Sequence, residues 1–234
     1  MPTIEELLHR RADLSTFLVH LTRDQDDGAS ARDNFLSILR SRRIEARNAL
    51  GMAKDGTATI DQRVVCFTET PLEHTWMMCK DIERRLYSFD RYGFVFPKRW
   101  ARSRGVNPVW YLDISPGHRW LTNPINALID KADAGADVAE IYEITPFLEQ
   151  MGPINGGCNY KEFWWEREWR HRGDFRFVPD DLVAAFAPEE DHETLGDELA
   201  DLGAADVRLL DPTWGMERMI AAFADVDPAH VGPM

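Results

Sequence analysis

The chain has few of the residues that mark a disulfide or zinc protein. Its three cysteines, Cys66, Cys79 and Cys158, form no CxxC pair and no cluster with ligand spacing, which excludes a disulfide framework and a zinc-finger pattern. No apolar run approaches the ~20 residues that span a bilayer, and the opening MPTIEELLHRRADL lacks the apolar core of a signal peptide. A soluble protein of the reducing cytoplasm is therefore expected, with no membrane association. A phosphate-binding glycine loop, GxSxG and HExxH are also missing. The chain does not read as a common hydrolase, and no metal site is expected.

The remaining composition favours burial. Hydrophobic residues make up 44% of the 234 positions and aromatics 11%, with eight Trp and twelve Phe, enough for one sizeable core in a single domain over residues 1–234. The formal net charge of −13 opposes unassisted binding to long nucleic acid. The charges are nonetheless segregated. Basic residues gather at Arg40, Arg42, Arg43 and Arg47, at Lys98, Arg99, Arg102 and Arg104, and at Arg167, Arg170, Arg172 and Arg176, whereas residues 180–211 are acidic. A solvated mixed surface is the ordinary reading of such a pattern, and a local basic groove is the alternative.

Periodicity predicts a short helix over 2–12, a strand over 17–22, a helix over 31–42 and a strand over 64–70. A helix from 72 towards 85, strands over 92–98 and 107–114, and helices over 118–133 and 138–149 follow. PINGGCNY reads as a turn-rich loop that leads into another strand. A strand over 181–188, an acidic helix ending at Gly203, a short strand VRLLD and a last helix complete the chain. Without a regular βαβ rhythm, the expected class is α+β, with a mixed or antiparallel sheet and surrounding helices.

Three strand-borne polar clusters could carry chemistry. The first pairs His20 with Thr22 at strand period, so both would face one side and could hold a ribose or an adenine edge. In the second, Phe67, Thr68 and Glu69 could form a neighbouring wall, although FTE before Pro71 also suits a capped strand end. The third lies in WWEREWRHRGDFRF at 164–177, where Glu166 and Glu168 stand two apart and would share a strand face. Such a pair could divide labour, one carboxylate stabilising developing positive charge and the other activating an attacking group. Ion pairs with Arg167, Arg170 and Arg172 across an outer sheet face are the commoner use of that spacing. Trp164, Trp165 and Trp169 read as packing residues, and Phe175 and Phe177 as strand core.

The ordered segments LVHLTR, NFLSILRSRRIEA, VVCFTETPL, YGFVFPKRWARSRGVNPVWYL and EREWR resemble the AbiGi-type abortive-infection proteins of bacterial phage-defence loci. The resemblance covers about residues 17–180 and leaves 181–234 as a C-terminal strand-helix extension. More distantly, the same order is similar to the ADP-ribosyltransferase fold, including DarT-like toxins. It implies NAD as substrate, with His20 binding NAD, Thr68 supporting the ribose, Glu168 catalytic and Glu166 on the acceptor side. Tyr92 or Phe94 would stack on nicotinamide, with core packing as the alternative. A macromolecular acceptor, nucleic acid or protein, is implied. AbiGi-type proteins are also labelled antitoxin components, which implies as the alternative a non-enzymatic antitoxin or sensor bound to a cognate protein.

Overall fold

The computed structural model describes residues 13–26, 28–82, 85, 87–154 and 159–226. It is α+β, with mixed strand pairing and several helices. The strands in chain order are β1 (Phe17–Leu21), β2 (Arg43–Ile44), β3 (Asn48–Ala49), β4 (Arg63–Thr68), β5 (Gly93–Pro97), β6 (Asn107–Pro108) and β7 (Trp110–Asp113), followed by β8 (Leu148–Ile154), β9 (Asn159–Lys161), β10 (Glu168–Arg172), β11 (Phe175–Arg176), β12 (Ala184–Phe186) and β13 (Leu209–Leu210). The helices are α1 (Ala31–Ser41), α2 (Lys98–Ser103), α3 (Thr122–Asp133), α4 (Ile141–Ile144), α5 (His192–Asp201) and α6 (Met216–Phe223). The chain divides into two compact units, one of Met1–Arg43, Glu69–Ala101 and Arg176–Met234, the other of Ile44–Thr68 and Arg102–Phe175. Among the described residues, no helix is long and apolar enough to cross a membrane.

In the first unit the strands run in the order β13-β12-β5-β1. Strand β5 pairs antiparallel with β1 and β12, and β12 pairs parallel with β13. With neighbours on both edges and both faces buried, β5 (GFVFP) needs apolar side chains at successive positions rather than at alternate ones. Phe94 stacks on Phe35 of α1 with ring centroids 4.7 Å apart. A capping box starts α1: Ser30 Oγ accepts from the Asp33 amide and Asp33 Oδ2 accepts from the Ser30 amide. At Gly93 a Cβ would lie 2.5 Å from the His20 carbonyl oxygen, so only glycine allows β5 to approach β1 so closely there.

In the second unit β3, β4, β10 and β6 are joined by antiparallel ladders in that order, and β7-β8-β9 forms a separate three-stranded sheet with β7 and β8 parallel. The expected strand over 107–114 is two pieces because it changes partner. Asn107 and Pro108 pair with β10, the Val109 amide donates to the Glu168 carbonyl at 2.9 Å, and Trp110–Asp113 then joins β8.

Two expected helices are largely replaced. From Leu72 the chain makes a 3-10 run to Met77 and no α-helix among the described residues up to 85. The Met78 carbonyl accepts from Arg85 Nη1 at 2.7 Å, where a continuing helix would supply a backbone amide. Over 138–149 only α4 and a 3-10 turn (Thr145–Phe147) form before β8 begins at Leu148, because Pro146 cannot donate to a helical ladder. Pro153 and Ile154, read as loop, belong to β8. The expected helix over 2–12, and Cys158, lie outside the described residues. The remaining expected elements occur where periodicity predicts them, mostly with shorter bounds, whereas β2, β3 and α2 form where no element is expected.

Candidate functional site

The stretch 164–177 enters its strand later than its spacing suggests. Trp164–Glu166 is a 3-10 turn, Arg167 takes the left-handed conformation at φ 50°, and β10 starts at Glu168. A non-glycine residue in that region costs on the order of 1 kcal/mol. The turn leaves the Glu166 carbonyl oxygen to accept from Thr68 Oγ1 at 2.6 Å. Glu166 is therefore not a strand neighbour of Glu168, which corrects the expectation of two carboxylates placed on one face by strand period.

The residue that shares a face with Glu168 is Arg170. In the β10–β4 register, Glu168 lies opposite Thr68 and Arg170 opposite Cys66, whereas Trp169 lies opposite Phe67. Pleating thus gives Glu168, Arg170, Thr68 and Cys66 one face and Phe67 the other. Phe67 packs edge-on against Phe175 at 5.1 Å, so the proposed wall of Phe67, Thr68 and Glu69 does not form on one face. Glu69 belongs to the first unit, where its carboxylate binds Lys98 at 2.6 Å.

Arg170 is 2% exposed, and its guanidinium is bonded on every nitrogen. Nε donates to Glu168 Oε1 at 2.9 Å and Nη2 to Glu168 Oε2 at 2.8 Å, a bidentate pair. Nη2 also donates to Glu149 Oε2 at 2.9 Å, and Nη1 to the Pro146 carbonyl at 2.6 Å. The other oxygen of Glu149 takes Lys161 Nζ. Tyr111 extends its hydroxyl to Glu168 Oε2 at 3.4 Å. Two cations and two carboxylates thus face one another in a largely dry cluster, the condition under which a buried ion network is satisfied.

The electrostatics follow from burial and these partners. Burial works against the Arg170 charge, yet Glu168 and Glu149 hold its pKa above the usual arginine range. Burial also pushes Glu149 up, but Arg170 and Lys161 outweigh it and leave its carboxyl below the ordinary value of 4.5. The Cys66 thiol is raised well above its usual range by burial and then by Glu168, to which it is hydrogen-bonded. Burial and Glu168 likewise raise the Tyr111 phenol. Cys66 and Tyr111 are therefore neutral donors beside Glu168, not nucleophiles.

The candidate residues are divided between the units. Phe67, Thr68, Glu166 and Glu168 lie in the second, and His20, Thr22 and Tyr92 in the first. Within the first unit, half-buried His20 sits opposite Phe94 in the β1–β5 ladder. Thr22 Oγ1 is buried and donates to the Ala31 carbonyl at 2.9 Å and the Tyr92 carbonyl at 3.2 Å. The buried Tyr92 packs against Phe35 with ring centroids 6.1 Å apart and donates its hydroxyl to Asp191. Thr22 and Tyr92 are thus engaged in local structure. Phe175 and Phe177 are core. Trp164, expected to pack, is 57% exposed, with its indole N–H on Glu162, because the 3-10 turn carries it off the strand.

Sequence reading missed Glu149, Lys161 and Tyr111. Glu149 falls at the end of an expected helix, and only its position one residue into β8 brings it to Arg170. Arg170 itself was legible, since it stands two residues after Glu168. No family model matches the chain, and no curated protein or solved structure does.

Proposed function

We propose that the chain is a phage-defence or toxin-antitoxin enzyme that transfers ADP-ribose from NAD to a macromolecular acceptor, with Glu168 as its catalytic carboxylate. One observation carries this reading. Glu168 and Thr68, to which the resemblance gives catalysis and ribose support, are direct cross-strand partners on one face of the β10–β4 ladder.

The chemistry suits a fixed carboxylate. When the bond between ribose C1′ and nicotinamide nitrogen breaks, its electron pair leaves with nicotinamide and the ribose acquires oxocarbenium character. A carboxylate accepting from the 2′-hydroxyl stabilises that positive charge. The acceptor's nucleophile then bonds to C1′ and releases its proton to solvent. An ionised carboxylate has about four acceptor positions. Arg170 takes two by its bidentate bonds, and the Cys66 thiol and the distant Tyr111 hydroxyl take the others. A ribose hydroxyl would replace one of those two weak donors and leave the arginine fork in place.

Calorimetry with NAD and a labelled-NAD transfer assay test the reading, with wild type and Glu168→Gln compared. NAD binding with transfer that Glu168→Gln abolishes supports it. No binding, together with a cellular phenotype unchanged in Glu168→Gln, defeats it.

The second reading is a non-enzymatic antitoxin or sensor that binds a partner protein. The observation favouring it is that Glu168 is already fully engaged beside an arginine only 2% exposed, as in a purely structural ion cluster. A stable complex with a co-purifying partner that survives Glu168→Gln, with no NAD turnover, decides for this reading.

A further inference from the structure

We infer that Glu149 is a positioning residue for Glu168, acting through Arg170; its catalytic consequence rests on the reading of Glu168 given above. Arg170 and Glu168 lie on the same strand, so their bidentate pair alone leaves the guanidinium free to swing about its side-chain torsions together with the carboxylate. What fixes the plane comes from elsewhere in the chain. Pro146 in the 3-10 turn before β8 takes Nη1 at 2.6 Å, and Glu149 of β8 takes Nη2 at 2.9 Å. Lys161 of β9 braces Glu149 through its other oxygen. The guanidinium is therefore held on the side away from Glu168, and Nε and the second Nη2 hydrogen are presented to Glu168 as a fixed fork.

Removing the Glu149 charge replaces the charge-assisted bond to Nη2 by a weaker neutral one, abolishes the ion pair with Lys161, and leaves the Pro146 carbonyl as the one unchanged anchor of that plane. The carboxylate of Glu168 then keeps its partner but loses its fixed orientation, and a displacement of a reacting group by ~1 Å can cost ~100-fold in rate. Among the described residues the Glu149 carboxylate bonds to Arg170 and Lys161 and makes no bond to the Glu168 carboxylate, so it acts on Glu168 through Arg170.

The test uses the full chain and two measurements on wild type, Glu149→Gln and Glu168→Gln. The first is the side-chain N–H signal of Arg170 Nε in ¹H–¹⁵N spectra, assigned by its loss in Arg170→Lys. The second is NAD cleavage resolved into kcat and KM. In Glu149→Gln the backbone amide spectrum is retained, the Nε–H signal moves upfield and exchanges faster with solvent, and kcat falls about 10- to 100-fold with KM for NAD unchanged. A merely structural role would lower thermal stability in a folded variant without a fall in kcat at unchanged KM. If Glu149→Gln does not fold, Glu149→Asp, which keeps the charge and shortens the reach, is read in the same way. In an active enzyme, an undiminished kcat in the folded Glu149 variant overturns the inference. If wild type cleaves no NAD, the catalytic reading of Glu168 fails on its own, and an unmoved Nε–H signal then overturns the positioning.

Discussion

Arg170 holds Glu168 through two parallel bonds of 2.9 and 2.8 Å from a position two residues along the same strand. Strand alternation is the cause, since residues i and i+2 share a face, whereas the 3-10 turn at Trp164–Glu166 keeps Glu166 out of that alternation.

Replacing Arg170 by Met leaves Glu168 and Glu149 facing each other in a largely dry site. Losing one member of a buried ion pair costs about 3–5 kcal/mol because the partner charge stays buried. Urea unfolding of Arg170→Met should show a loss of that size. A loss below about 1 kcal/mol would mean that the cluster is wetter and weaker than its geometry indicates.

Glu149 has a folded pKa below its ordinary 4.5: burial alone would raise it, and Arg170 and Lys161 more than offset that. Its contribution to stability is therefore complete above about pH 4.5 and disappears as the pH falls through the lowered folded value. The melting-temperature gap between wild type and Glu149→Gln should be steady from about pH 6 to 7 and narrow progressively as the pH falls below about 4.5 towards the lowered folded value. A gap unchanged at about pH 3 would contradict the assignment.

Thr22 donates its hydroxyl to backbone carbonyls of Ala31 and Tyr92. Thr22→Val should cost about 1 kcal/mol in denaturant unfolding, the usual net value of a buried hydrogen bond, and leave any NAD affinity unaltered. Calorimetry showing a lost affinity at wild-type stability would return Thr22 to a ligand-binding role.

Gly51 has φ +90°, and an added Cβ would lie 2.0 Å from the Thr145 carbonyl oxygen. Gly51→Ala combines left-handed strain with a backbone clash, so a destabilisation of about 3 kcal/mol or more is expected. Trp164→Ala, by contrast, removes a side chain standing in solvent and should change stability by no more than about 0.5 kcal/mol. Measured together by thermal unfolding, the two must fall in that order. A costlier Trp164→Ala would place that indole in the packing after all.

The core strands were the most legible part of the chain because their residues satisfy one strong local rule. FLVHL, RVVCFT and GFVFP are strands whichever neighbour they pair with, since β-branched and aromatic runs suit a pleated buried surface. The boundaries that failed are those where a single residue redirects the backbone. Pro146 converts an expected helix into a turn and strand, and Arg167 in its left-handed conformation delays β10 until Glu168. Neither effect appears in a periodicity that averages over a window.

The sequence by itself determined the α+β class, the apolar strands, the helix over 31–42 and the candidacy of Glu168 with Arg170 two residues on. These depend on spacing and hydrophobic periodicity, which act between near neighbours. Only the tertiary structure decided that Thr68 stands across from Glu168, that Phe67 points the other way, and that Glu149 and Lys161 close the ion cluster. Those facts depend on which strands pair and in what register, and pairing is set by the packing of distant segments rather than by any residue's own neighbours.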